Sequence, residues 1–139
     1  MADLEMHAAD FVDEAEASVE SVTPADLSAA LEAGDVVVVD VREDRERWSQ
    51  GTIPGSVHAS RGGIEYSADP ESEHYVDAFD PDRRYVCHCS GGTRGALAAA
   101  RLREMGYLDV AYLADGFEAW EAAGYEVEYE EPPDTMMEA

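Results

Sequence analysis

Residues 85–95 read Tyr85-Val86-Cys87-His88-Cys89-Ser90-Gly91-Gly92-Thr93-Arg94-Gly95, and an Ala-rich run follows directly. Tyr85 to His88 has the shape of a central strand buried on both faces. Residues 96–105 predict a helix, which Gly106 ends. Between strand and helix, Gly91 and Gly92 allow a tight curve on which successive backbone N–H groups converge. The helix adds the positive end of its dipole at the same place, and Arg94 adds a full charge five residues beyond Cys89. A thiol at the mouth of such a loop has surroundings that favour the thiolate. The ordinary reading of a cysteine in a small protein is a buried filler. That reading suits Cys87, inside the strand, whereas Cys89, before the turn, is the expected nucleophile.

Cys87-His88-Cys89 also contains three metal-ligand types. In a strand Cys87 and Cys89 face one way and His88 the other, and no second cysteine pair completes a tetrahedral site. No metal or other cofactor is expected, and His88 reads as a satisfied, partly buried histidine.

Outward from this loop, strands alternate with short helical patterns, which predicts one α/β domain with a mainly parallel sheet. Residues 1–17 are acidic and Ala-rich, a helical or a disordered extension. The ordered domain is expected over residues 18–127, starting with an edge strand through Val22. Thr23-Pro24-Ala25-Asp26 reads as a helix start with a capping box, and the helix runs to Ala33 before Gly34. Val36 to Val39 is a second central strand, with Asp40 and Arg42 at its end, where open α/β sheets place their sites. Residues 43–50 predict a short helix, Val57 to Ala59 a strand, and Glu73 to Phe79 a helix carrying Tyr75, Val76 and Phe79 inward. Val110 to Leu113 completes a five-stranded sheet, and a last helix runs from Phe117 to Ala123. Residues 128–139 read as a disordered acidic tail.

The 139 residues suffice for one hydrophobic core. No apolar run approaches the roughly 20 residues of a membrane span, and the acidic start is no signal peptide. A soluble, cytoplasmic monomer without membrane or nucleic-acid partners is expected. Two cysteines so close together exclude a disulfide framework. The charge balance is extreme: 32 Asp and Glu face nine basic residues, all Arg, for a formal charge of -23. With much Ala, no Lys and only two Ile, the composition resembles that of a halophilic archaeal protein.

Four motifs in order resemble the single-domain rhodaneses. Cys89, Gly92 and Arg94 match the active-loop pattern Cys-x-x-Gly-x-Arg, and Asp40 with Arg42 match the Asp-x-Arg after the second strand. Gly51-Thr52-Ile53-Pro54-Gly55-Ser56 is similar to the family's Gly-His-Ile-Pro-Gly-Ala turn. Leu113 to Trp120 is similar to its closing Leu-x-Gly-Gly segment, with Asp115 replacing one glycine. Arg61-Gly62-Gly63-Ile64-Glu65-Tyr66 is similar to an Arg-Gly-x-x-Glu insertion found in one branch.

The resemblance implies a three-layer α/β fold with a mainly parallel five-stranded sheet, helices on both faces, and a sulfurtransferase. Cys89 would attack the outer sulfur of a donor such as thiosulfate and hold it as a persulfide until a thiol, cyanide or a sulfur-relay protein takes it. Ser90, Gly91, Gly92, Thr93 and Gly95 would cradle the transferred group, and Arg94 would pair with the incoming anion. Arg61 would wall the pocket mouth or be an ordinary surface residue. Asp40 and Arg42 would be a buried ion pair supporting the loop. The rivals are a relay or sensing protein with the same chemistry and a cysteine-dependent phosphatase or arsenate reductase. Phosphatase loops carry five residues between Cys and Arg; this one has four, Ser90 to Thr93.

The charge alone generates an expectation about salt. Carboxylates repelling across a small surface sum to an unfavourable contribution comparable with a net stability of about 5–15 kcal/mol. Molar salt shortens the Debye length to about 3 Å and removes most of it. The unfolding midpoint should therefore climb with KCl up to molar concentration. Melts that coincide in dilute buffer and in molar KCl would refute the halophilic reading.

Overall fold

Thr23 begins its helix as the capping box requires. Its Oγ1 accepts from the Asp26 N–H at 3.1 Å, and the Asp26 carboxylate accepts from the Thr23 N–H at 3.4 Å. The computed structural model describes residues 3–133. In chain order its elements are α1 (Ala8–Ser18), β1 (Glu20–Val22), α2 (Pro24–Ala33), β2 (Val37–Asp40), α3 (Asp44–Gln50) and β3 (Val57–His58). A short 3-10 turn, Arg61–Gly63, then leads into α4 (Ile64–Ser67), β4 (Tyr85–His88), α5 (Thr93–Met105), β5 (Val110–Leu113) and α6 (Gly116–Ala122). The strands lie in the order β1-β5-β4-β2-β3, and every pairing is parallel. This is the expected three-layer α/β fold. No helix among the described residues is long and apolar enough to cross a membrane.

The unalternated apolar runs are explained by two cores, one on each face of the sheet. Val39, Val41, Tyr85, Cys87, Cys89 and Val110 pack with Ala98, Ala99 and Leu102 of α5 and with Ile64. Val38, Val86, Ala111 and Leu113 turn the other way, onto Leu27 of α2, Ile53, and Phe117 and Trp120 of α6. Cys87 and Cys89 thus share a face, as the strand period demands. α1 lies along α5 and buries Ala15.

Two expectations about the helices are corrected. Glu73 to Phe79 is not a helix: Tyr75 N–H donates to Ser72 O, Val76 N–H to Ser67 O and Phe79 N–H to Val76 O, a chain of turns. Tyr75, Val76 and Phe79 still pack on the core, so inward apolar positions did not require helical spacing. The Ala-rich helix starts at Thr93, three residues before the expected Ala96, because Gly92 (φ +109°) turns the chain straight into it. Past Val127, Glu128 pairs in antiparallel fashion with Thr52, and Glu130 meets Arg47 at 2.9 Å. The tail expectation for residues 134–139 lies outside the described residues, as do residues 1–2 of the extension.

Asp40 and Arg42, both 0% exposed, form a bidentate pair: Nε reaches Oδ1 at 3.0 Å and NH2 reaches Oδ2 at 2.9 Å. Gln50 Oε1, Gly51 O and the Thr52 hydroxyl complete the network around them. Burial alone would raise the Asp40 carboxyl, but the Arg42 hydrogen bonds with the nearby positive charges hold it well below the usual range. His88 lies 3.7 Å from Asp40 Oδ2 and stacks on Phe117. It is fully buried rather than partly, because β4 is a central strand, and its Nδ1 has no partner.

Burial pushes the His88 ring down to about 4, with Arg42 and Arg47 acting the same way and Asp40 opposing. The folded chain thus refuses a proton that the unfolded chain accepts. The associated stability is whole above the ordinary value of 6.5 and is lost as pH falls toward about 4, by up to about 1.4 kcal/mol per pH unit. Urea midpoints across that window, at constant molar salt, should fall more shallowly in His88→Asn than in the wild type. Parallel slopes would show that carboxylates alone carry the acid loss.

Candidate active site

A helix leaves its first N–H groups without intrahelical partners. Because α5 starts at Thr93, the Gly95 N–H is one of these, and it points at the Cys89 sulfur. Sγ accepts from the Gly92 N–H at 3.1 Å and from the Gly95 N–H at 3.3 Å. Gly95 also lets the helix start sit close on β4: a Cβ there would come within 3.1 Å of the Cys87 carbonyl oxygen. The Cys89 side chain is 1% exposed, so this cradle is a closed one.

The loop is held from below by α6. Phe117 N–H donates to Cys89 O at 2.7 Å, and Glu118 N–H donates to Ser90 O at 3.1 Å. These two bonds fix the Cys89 and Ser90 backbone against the start of α6. Asp115 takes the left-handed conformation (φ 59°) that a family glycine would occupy, a place where Asp is tolerated. Gly116, with φ +67°, is different. A Cβ on it would stand 2.5 Å from both Cys89 O and Ser90 O.

From the side, Glu46 of α3 grips the loop. Its Oε1 and Oε2 receive Arg94 NH2 at 2.7 Å and NH1 at 2.8 Å, and Ser90 Oγ lies 3.5 Å from Oε1. Oε2 also accepts the Glu43 N–H at 2.8 Å, so the same carboxylate caps its own helix. The Arg94 hydrogen bonds hold the Glu46 carboxyl down to about 2, against the upward push of desolvation. Glu46, Gly116 and Phe117 were not among the site residues expected from sequence. Glu46 has no local signal, since Arg94 lies 48 positions away. Gly116 stood inside a recognised motif, yet its contact with the loop carbonyls is purely tertiary.

The remaining expected residues divide. Of residues 90–95, Gly92 and Gly95 donate to the Cys89 sulfur, Ser90 and Arg94 reach Glu46, and Gly91 and Thr93 are exposed. Asp40 and Arg42 make no hydrogen bond to the loop; the Arg42 guanidinium sits 4.5 Å over the Phe117 ring, at the start of α6. Arg61 lines a groove with Phe11, Glu14, Leu97 and Arg101 and faces Glu65 at 3.8 Å. Cys87 is 0% exposed, and burial pushes its thiol up to about 12, which suits a core residue. Among the described residues, no group of three or more His, Cys, Asp or Glu is placed to hold a metal ion.

A sequence model of the rhodanese-like domain matches residues 23–123. Over 93 residues the chain is 34% identical to the thiosulfate sulfurtransferase GlpE of Pseudoalteromonas translucida, covering 67% of this chain and 80% of that one. A solved structure from Rhodopseudomonas palustris, a protein of unknown function described as a possible tyrosine phosphatase, is 39% identical. Its TM-score is 0.86, and the match covers 92% of this chain and 98% of that one. A rhodanese-related protein from Thermoplasma volcanium is 26% identical with a TM-score of 0.64, covering 80% and 99%.

The support from α6 can be probed at two adjacent positions. Gly116→Ala puts a Cβ against two backbone oxygens in a strained conformation and should cost at least about 1–3 kcal/mol. Asp115→Gly relieves a left-handed residue and should stay within about 1 kcal/mol of the wild type. Urea unfolding of the two variants decides. Equal stability would mean that the α6 start gives way easily and does not hold the loop.

Proposed function

The chain belongs to the rhodanese-like domain family, and from that premise we propose that it is a sulfurtransferase that carries sulfane sulfur as a persulfide on Cys89. The observation that carries this reading is the pair of backbone N–H groups, from Gly92 and Gly95, directed at the Cys89 sulfur. In the first step the Cys89 thiolate bonds to the outer sulfur of thiosulfate. The sulfur–sulfur bond of the donor breaks, and its electron pair leaves with sulfite. In the second step a thiol, cyanide or a relay protein takes the outer sulfur, and Cys89 returns to the thiolate. The terminal sulfur of the persulfide is anionic, and the loop N–H groups stabilise it as an oxyanion hole stabilises oxygen. Arg94 stands on the rim of the loop, paired with Glu46. A relay protein would differ only in its acceptor.

The likeness to a protein described as a possible tyrosine phosphatase keeps a second reaction in view. One feature favours sulfur over a phosphoryl group: four residues separate Cys89 from Arg94, which contracts the cradle.

Intact mass and peptide mapping after thiosulfate treatment in high salt provide the test. The wild type and Cys87→Ser should each gain one sulfur, on Cys89, and Cys89→Ser should gain none. Cys87→Ser should unfold earlier, because it buries a hydroxyl. Absence of the gain, together with hydrolysis of p-nitrophenyl phosphate that Cys89→Ser abolishes, would replace this reading with the phosphatase one.

A further inference from the structure

A cation beside a sulfur nucleophile is expected to draw in an anionic donor, yet Arg94 is not free to do so. Both of its terminal nitrogens are engaged by Glu46, at 2.7 and 2.8 Å, in a bidentate pair. Glu46 is in turn immobilised by the Glu43 N–H, and its reach extends to Ser90 Oγ. One carboxylate therefore stands beside both the first residue after the nucleophile and the arginine that ends the pattern. Both partners are partly exposed, at 28% for Glu46 and 35% for Arg94, so a small anion approaching the loop meets the pair at its rim.

We infer that Glu46 determines the donor charge the site accepts: by closing Arg94 into a neutral pair, it disfavours a dianionic donor relative to a monoanionic one of the same shape. This rests on the sulfurtransferase reading. A dianion gains the Arg94 fork only by displacing Glu46 and then sits beside a carboxylate that stays ionised. A donor with one charge fewer suffers less from that carboxylate.

Thiosulfate and methanethiosulfonate isolate the effect, because they undergo the same step. In each, Cys89 bonds to the outer sulfur and the bond to the oxidised sulfur breaks. The electron pair departs with sulfite from one and with methanesulfinate from the other. No oxidant or reductant is involved, and the donors differ by one negative charge. Glu46→Gln should raise the kcat/KM ratio of thiosulfate to methanethiosulfonate about fivefold, chiefly through a lower KM for thiosulfate. Glu46→Asp keeps the charge and should hold the ratio within about twofold of the wild type. A carboxylate that merely shaped the loop would change both donors in proportion.

The wild type adds a measurement that needs no folded variant. Sulfate should protect Cys89 from iodoacetamide no better than methanesulfonate does at equal ionic strength. An unmoved ratio in Glu46→Gln, a ratio that moves as far in Glu46→Asp, or stronger protection by sulfate would overturn the inference and leave the sulfurtransferase reading standing. Failure of both donors to load sulfur on the wild type would overturn the reading and the inference together.

Discussion

One hydrogen bond organises the site: the Phe117 N–H to the carbonyl of Cys89, 2.7 Å long. It anchors the Cys89 backbone against α6, and from that position the sulfur accepts the Gly92 and Gly95 N–H groups. The bond forms because Gly116 lets α6 approach to a distance that no other residue permits. The Arg42 guanidinium lies over the Phe117 ring, and Arg42 is held by Asp40. A buried ion pair is weak evidence for stability, since desolvation offsets much of its attraction. Its structural consequence is firmer. Nearly all of its hydrogen-bonding capacity is used, on Gln50, Gly51 and Thr52, so it locks the end of β2 to α3 and to the turn behind it.

The same lock sets the position of Glu46, which closes the loop from the side. The site is therefore clamped between two elements that the Asp40–Arg42 pair joins, although neither Asp40 nor Arg42 touches the sulfur. Cys87 shows how much depends on this. It has the same side-chain chemistry as Cys89 and faces the same way two residues earlier. Without a turn beyond it, it is only a buried thiol pushed toward neutrality.

Much of this was legible in the sequence because it is local. The capping box at Thr23, the unalternated strands and the Cys-x-x-Gly-x-Arg loop are each encoded within a few residues. The errors have the same root. Glu73 to Phe79 carries apolar residues at positions that fit a helix, but the chain between Asp69 and Pro81 satisfies its backbone through turns and a bond back to Ser67. The helix pattern in the side chains of α5 begins at Ala96, whereas its hydrogen bonding begins at Gly92, where Ala96 N–H finds its acceptor. That three-residue difference moves Gly95 into the first turn, and with it a donor onto the sulfur. Glu46 was invisible for another reason: on an acid-rich chain, one glutamate among 32 acidic residues carries no signal until the fold sets it opposite Arg94.

The net charge bears on why the cradle is built from backbone. On a chain with a formal charge of -23, any side-chain cation lies in the field of many carboxylates, and Arg94 is in fact claimed by one of them. Its attraction for an incoming anion is reduced by that pairing, and in molar salt it is screened beyond about 3 Å. The N–H dipoles of Gly92 and Gly95 escape both effects. They carry no net charge for a carboxylate to neutralise, and they act at 3.1 and 3.3 Å inside a closed loop where mobile ions do not intervene. Stabilisation of an anionic sulfur by such groups depends on the start of α5 and on its support from α6, not on the charge of the surface. A site of this construction keeps its chemistry while the surface around it is free to become as acidic as this one.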